Sequence, residues 1–447
     1  MSERIEPRTF RGARDFLPAE MIRREGIFDL LRDLFQRYGF APLETPAIEY
    51  MEILLGKYGV EGEKLIYPLA YKGGKTAALR YDLTVPLARV VAQYRELPRP
   101  FKRYQMQPVW RADTPQIHQG RYREFYQCDA DIVGEESRVA DAEILALIGE
   151  ILTALDLGTF KVRVNHREIL EGMVRFVGLP SEATRGVIRA IDKFDKVGIP
   201  GVEQELAKEA IEPGPRARLL ELLELPSGGP EAIEALLTRA GTDASVASGA
   251  RDLARLWEAL GPLTSDLSVY EFRLTLARGL DYYTGPVFES FVDALPHLGS
   301  LTGGGRYDDL VSLFSEEGLP AVGTTIGLDR IFSALEQLEK GGGAPSRTEV
   351  MVLQFGAEAE AAALAMTGSL RRAGLRAEVW YRADRLGKQI QQADKRGIPI
   401  VVFQGPDEAA RGEWMIKVLK SGEQIPCAGD ALPQRLRALT QGGAGSR

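Results

Sequence analysis

Cysteine and histidine are nearly absent: the 447 residues hold two cysteines, Cys128 and Cys427, and three histidines, His118, His166 and His297. The cysteines lie far apart with no CxxC spacing, so neither a disulfide framework nor a zinc site is expected, and a reducing compartment suits them. Three scattered histidines are too few for a histidine-rich metal centre. No apolar run approaches the ~20 residues that a membrane helix needs. The start, MSERIEPRTF, lacks the apolar core of a signal peptide, and a cytosolic location is the expectation. Neither HExxH nor GxSxG occurs, which sets aside zincin and α/β-hydrolase chemistry. A net charge of -7 argues against a generic polyanion binder, although a local basic face could still meet nucleic acid.

What remains is an ordinary globular composition, 45% hydrophobic and 27% charged, long enough for two or three domains. Its most informative stretch runs from Phe101 to Gly134. Two strand-like segments flank a polar loop, Asp113 to Gln119, that carries Pro115 and ends at Gly120. Side chains alternate along a strand, so Arg123, Phe125, Gln127, Asp129 and Asp131 share one face. That face is a poor apolar surface and a good lining for a small polar ligand, with a solvated hairpin face as the plain alternative. Arg111, near the end of the first strand, can reach the same space.

Elsewhere the pattern predicts a buried-face helix over 19–38, closed by Gly39. GGKT at 73–76 is not a phosphate loop, because position 69 is Leu where that motif needs glycine; Gly73-Gly74 reads as a hairpin turn. Asp82 and Thr84 are expected on one strand face, as buried structure or as a receptor for an ammonium group. A helix is expected over 136–156, a strand over 161–166, and an inserted helical domain over 167–262. Gly303 to Gly305 reads as a glycine turn before a helix near Tyr307. Arg330 falls in the first turn of a helix, where a cation opposes the helix dipole unless an anion lies nearby. After a linker at 341–347, alternating strands and helices predict a small, mainly parallel α/β domain. Lys388, Lys395 and Arg396 lie near one face of its second helix: a solvated face, or an RNA contact. Arginines with carboxylates and an exposed aromatic suit nucleoside triphosphate binding, by charge pairing and stacking.

The Phe101–Gly134 stretch resembles motif 2 of class II aminoacyl-tRNA synthetases, and GLDRIF at 327–332 resembles their motif 3. LARGLDYYTGPVFE (276–289) and GGGRYDDL (303–310) resemble the two histidine signatures of the histidyl-tRNA synthetase family. TFRGARDFLP near the start and LRYDLTVP (79–86) resemble the same family, and the spelling RYDLTVPLAR with GRYREFYQCDADIVG is closer to its eukaryotic-type branch. The likeness spans essentially the whole chain. It implies an α+β fold: an antiparallel-sheet catalytic core in two parts, 1–166 and 263–340, around the helical insertion, with a C-terminal α/β anticodon-binding domain over 348–447. It also implies histidine activation by ATP with Mg2+ and transfer to tRNA-His, with no metal held by a protein motif. A homodimer would form through the segment around Pro46.

Residue by residue, the resemblance gives Arg111 and Arg278 the catalytic charge-stabilising roles. Arg111, Arg123, Phe125 and Arg330 would bind ATP, with Phe125 stacked on adenine. Asp82, Thr84, Gln127, Asp131, Arg278, Tyr282, Tyr283 and Tyr307 would bind histidine, Asp131 and Tyr283 reading the imidazole. The second signature usually ends in glycine where this chain has Asp309, so a change of loop shape is expected.

Overall fold

The computed structural model describes residues 4–56, 64–70, 76–277, 282–340, 346–382 and 384–442. They form two compact units, one built on Ile27–Lys340 and the other on Phe16–Gly26 together with the chain beyond the linker.

The larger unit is organised by an eight-stranded sheet. Its strands are β1 (Ala41–Pro42), β5 (Phe101–Trp110), β6 (Glu124–Val133), β7 (Phe160–His166), β8 (Tyr270–Phe272), β9 (Pro286–Val292), β10 (Thr302–Arg306) and β11 (Ala321–Gly327). The spatial order is β1-β5-β6-β11-β10-β9-β7-β8. Every neighbouring pair is antiparallel except the two at the edges, β1 with β5 and β7 with β8. A small sheet of β2 (Ile48–Tyr50), β3 (Pro68–Leu69) and β4 (Ala77–Leu79) lies beside it in sequence.

One side of the large sheet carries the apolar core. Leu31, Leu34 and Phe35 of the helix Pro18–Arg37, and Ile144, Leu147, Ile148 and Ile151 of the helix Arg138–Ala154, are buried against sheet residues such as Cys128, Ala130 and Ile132. Burying a residue of this kind contributes about 1.5–3 kcal/mol. The same cluster continues without a break into Ile169, Leu253 and Leu256 of the helices that follow β7.

Three local expectations change. Residues 80–84 are not a strand: Thr84 opens the helix Thr84–Gln93, and Asp82 Oδ1 accepts from the Val85 backbone N–H at 3.1 Å. The carboxylate thus occupies a free donor at the helix start. Gly303 to Gly305 are not a turn but the middle of β10. A Cβ on Gly304 would overlap the Gly323 carbonyl oxygen, and one on Gly305 would lie 2.6 Å from the Pro286 carbonyl oxygen and 2.8 Å from the Tyr283 ring. The glycines are there because neighbouring backbone comes too close for any side chain. No α-helix follows at Tyr307; only a 3₁₀ turn at Val311–Leu313 does. The Gly73-Gly74 turn lies outside the described residues, although β3 and β4, which flank it, pair antiparallel.

Asp309 is exposed, and its backbone avoids the left-handed region, so the turn after β10 accepts an aspartate where the family has glycine. The smaller unit has the expected β-α-β-α-β run. Its five-stranded sheet has three parallel strands, β13 (Ala377–Val379), β12 (Val350–Val352) and β14 (Ile400–Phe403). Two antiparallel ones, β15 (Glu413–Val418) and β16 (Gln424–Ala428), extend it. It is therefore less parallel than its sequence suggests.

Candidate active site

The β5–β6 hairpin sets the site by register. Gln107 lies opposite Gln127 and Arg103 opposite Asp131, while β11 places Thr325 beside Asp129 and Gly323 beside Asp131. Arg103, Gln105, Gln107, Gln127, Asp129 and Asp131 thus share one sheet face. All but Gln107 are buried. Part of this polar face is satisfied internally. Arg80 Nη1 donates to Gln107 Oε1 at 2.8 Å and to the Thr45 carbonyl at 2.6 Å, and Gln105 Nε2 donates to Thr45 Oγ1 at 2.8 Å.

The end carrying Gln127, Asp129 and Asp131 is different. Among the described residues, Gln127 Oε1 and Asp129 Oδ1 are buried with no hydrogen-bond donor, while Asp131 Oδ2 faces the Arg103 guanidinium at 2.9 Å. Buried polar groups are nearly always bonded, so two such oxygens on successive same-face residues point to a ligand that supplies the donors. Around them, Tyr307 donates its hydroxyl to Asp131 Oδ1. Tyr282 donates to the Tyr283 hydroxyl at 3.2 Å, and its ring meets that of Tyr307 edge-on at 6.0 Å. Close packing fixes this arrangement: a Cβ on Gly323 would overlap Asp131 Oδ1.

Burial pushes the Asp129 carboxyl up to about 8; the Arg103 cation opposes this and Asp131 adds to it. Burial also raises Asp131, again opposed by Arg103, and it raises the Tyr307 hydroxyl well above its ordinary range, with Asp131 adding. The folded pKa of Asp129 lies above its unfolded value, so the folded chain holds an extra proton between about pH 4 and about pH 8. Stability from this group therefore falls as pH climbs through that window. Asp129→Asn removes the titration. Its melting temperature relative to the unmodified protein is expected to rise from about pH 5 to about pH 8, and a constant difference would contradict the raised pKa.

A second group sits near the end of β5. Arg111 lies 4.4 Å from the Tyr81 ring centroid and 5.1 Å from that of Phe125, and its Nε donates to the Tyr81 carbonyl at 3.3 Å. The Tyr126 backbone N–H, next to Phe125, donates to Asp329 Oδ2 at 2.9 Å, tying this strand to the helix Leu328–Gln337. Arg330 of that helix donates to the Ser300 carbonyl. Gly120, at φ +66°, lets the hairpin loop lie against the Arg330 backbone, since a Cβ would come within 3.2 Å. Arg123 is placed differently: its guanidinium holds the carbonyls of Asp113 at 3.1 Å and Arg11 at 3.2 Å, clamping the N-terminal segment to the loop. Arg278 lies outside the described residues.

The Histidyl-tRNA synthetase family profile matches residues 12–331, and the Anticodon binding domain profile matches residues 349–439. The chain belongs to the histidyl-tRNA synthetase family. Histidine--tRNA ligase of Gloeobacter violaceus is 41% identical to it over 96% of this chain and 99% of its own. The crystal structure of histidyl-tRNA synthetase from Nostoc sp. PCC 7120 superposes with a TM-score of 0.86 at 33% identity, covering 97% of this chain and all of that one. A Bacillus halodurans structure described as an ATP phosphoribosyltransferase regulatory subunit/histidyl-tRNA synthetase gives 0.73 at 25% identity, over 87% and 97%. The antiparallel core and C-terminal α/β unit expected from the family resemblance are both present.

Of the residues singled out from sequence, the fold joins Asp131 to Tyr307, Tyr282 to Tyr283, and Arg111 to Phe125. Three others escaped that reading: Arg103, Asp329 and Arg14, whose Nη2 donates to Asp329 Oδ1 at 2.8 Å. Arg14 does stand within the quoted TFRGARDFLP. Nothing in one sequence marks Arg103, because its partner lies on another strand.

Proposed function

We propose that the chain joins histidine to ATP as histidyl-adenylate, releasing pyrophosphate, and then passes the histidyl group to the 3′ end of tRNA-His. The observation that carries this is the buried acceptor set Gln127, Asp129 and Asp131 under the hydroxyl of Tyr307, in a chain of this family.

The histidine α-ammonium group would meet Asp82, Thr84 and Gln127, and the imidazole would meet Asp131, Tyr283, Tyr307 and Tyr282. A site whose buried acceptors need N–H donors rejects apolar amino acids, since those leave the acceptors unpaired. ATP would arrive as its Mg2+ complex, with the ion bound chiefly by phosphate oxygens. Phe125 would stack on adenine, and Arg330 and Arg123 would face the outer phosphates. For Arg123, that role requires its guanidinium to leave the carbonyls of Asp113 and Arg11. Attack of the histidine carboxylate on the α-phosphorus gathers negative charge there, which Arg111 and Arg278 would neutralise. Arg111→Ala is expected to lower kcat of histidine-dependent ATP–pyrophosphate exchange about a hundredfold while leaving the histidine KM near its original value. An unchanged kcat would contradict the role.

The match over 349–439 supports tRNA-His as the partner of the C-terminal unit. Its lysine- and arginine-bearing helix is a modest basic surface, since Lys388 pairs with Asp384 and Arg396 with Glu378. A homodimer is supported by a groove of about 960 Å³ beside Pro46, where Ile48, Tyr50 and Tyr94 are exposed. No helix among the described residues is long and apolar enough to cross a membrane, which fits the cytoplasmic location that we propose.

The Bacillus halodurans description raises a second reading, a non-catalytic regulatory subunit. Retention of Arg111, Arg278 and Arg330 together with a C-terminal unit that matches the anticodon-binding profile favours the enzyme.

A further inference from the structure

Arg103 is fully buried in β5, and the proposed roles do not use it. Its Nη2 lies 2.9 Å from Asp131 Oδ2, directly across the β5–β6 ladder, and 3.2 Å from the Leu83 carbonyl oxygen. Its Nη1 donates to Gln105 Oε1 at 3.3 Å. Leu83 stands between Asp82 and Thr84. A single guanidinium therefore grips both halves of the pocket: the carboxylate that would read the imidazole, and the backbone carrying the two side chains that would receive the α-ammonium group.

An arginine so placed needs a partner, because an unpaired charge is costly to take out of water. Asp131 compensates it, and the fork geometry lets one side chain hold two groups at a fixed separation. We propose that Arg103 is a positioning residue for histidine: it keeps Asp131 ionised and fixes the distance between Asp131 and the Asp82–Thr84 segment. The inference rests on Asp131 being a histidine ligand.

Among the described residues, the charged and titratable groups facing Asp131 are Arg103 from β5, Asp129 from β6 itself, Tyr307 after β10, and Asp82 before the helix Thr84–Gln93; β11 offers only the Gly323 backbone. Arg103 is the only cation among them. Without it, burial and the nearby Asp82 carboxylate favour the protonated form of Asp131, which is a poorer acceptor for an imidazole N–H.

The test is ATP–pyrophosphate exchange by the full-length protein, with Arg103→Met, Arg103→Lys and Asp131→Asn measured at about pH 7 and about pH 8.5. Arg103→Met is expected to raise the histidine KM about 10–100-fold with the ATP KM within about twofold. That excess over the unmodified protein should shrink at the higher pH, as Asp131 ionises; comparison at each pH cancels the titration of histidine itself. Arg103→Lys keeps the charge but cannot span both partners, so its histidine KM should rise severalfold with no pH-dependent excess. An unaltered histidine KM in folded Arg103→Met overturns the proposal, as does an equal rise for histidine and ATP. If the methionine variant does not fold, an unaltered histidine KM in Arg103→Lys overturns it instead. Should Asp131→Asn leave the histidine KM unchanged, the assignment of Asp131 fails first; should it raise that KM while Arg103→Met does not, only the present inference fails.

Discussion

Asp131→Asn is expected to lower kcat/KM for histidine about a thousandfold in ATP–pyrophosphate exchange, with the ATP KM little changed. Asparagine keeps the shape of the side chain but removes the charge that balances Arg103, which is left buried and unpaired. It also replaces an acceptor-only carboxylate with a group half of which is a donor. A pocket that recognises its substrate by buried hydrogen bonds discriminates by about 10⁴–10⁵ when a partner is missing, and a mismatched amide forfeits much of that. The measurement is steady-state exchange over a histidine titration, with thermal melting to establish that the variant is folded. A folded variant within about threefold of the original kcat/KM would remove Asp131 from histidine recognition.

The second large effect is on the fold beneath the site. Gly304→Ala is expected to destabilise the larger unit by about 3 kcal/mol or more, at or beyond the upper end of ordinary overpacking. The new Cβ would overlap the Gly323 carbonyl oxygen, with a Phe288 ring carbon at 2.5 Å and the Thr324 Cα at 2.8 Å. Two of those three neighbours are backbone atoms, so no rotamer change relieves the clash, and β10 must part from β11. Gly323, which β11 sets against Asp131, moves with it, so histidine binding should weaken in whatever fraction stays folded. Gly214→Ala is the control: it lies in the helix Pro213–Leu223 with nothing within 4 Å of its added Cβ. Urea unfolding of both variants checks this; equal midpoints would show that β10 tolerates a side chain there.

Where sequence and structure agree, the reason is local. The Phe101–Gly134 hairpin is legible because alternation with period two, a polar loop and Gly120 all act over a few residues. The helices Pro18–Arg37 and Leu328–Gln337 announce themselves by their apolar spacing. Where the two part, the cause lies elsewhere in the chain. GGG reads as a turn because glycine permits any backbone conformation, yet here it answers to the backbones of β9 and β11 on either side. Asp82 and Thr84 look like alternating strand residues, although an aspartate three positions before the Val85 N–H is also a helix-start signal. β16 escaped because Pro426 interrupts its pattern, which an edge strand tolerates. The site itself divides in the same way. Gln127, Asp129 and Asp131 share a face by parity alone, whereas Arg103 gains its meaning only from a partner 28 positions later, brought opposite by register.

The proposed function requires this pocket to select histidine and activate it. Its most direct test is ATP–pyrophosphate exchange by the purified protein, with each of the twenty amino acids supplied singly. Exchange with histidine and with no other amino acid is the predicted result. Exchange with no amino acid at all would contradict the account, and exchange with a different one would contradict the assignment of Asp131 and its tyrosines to an imidazole.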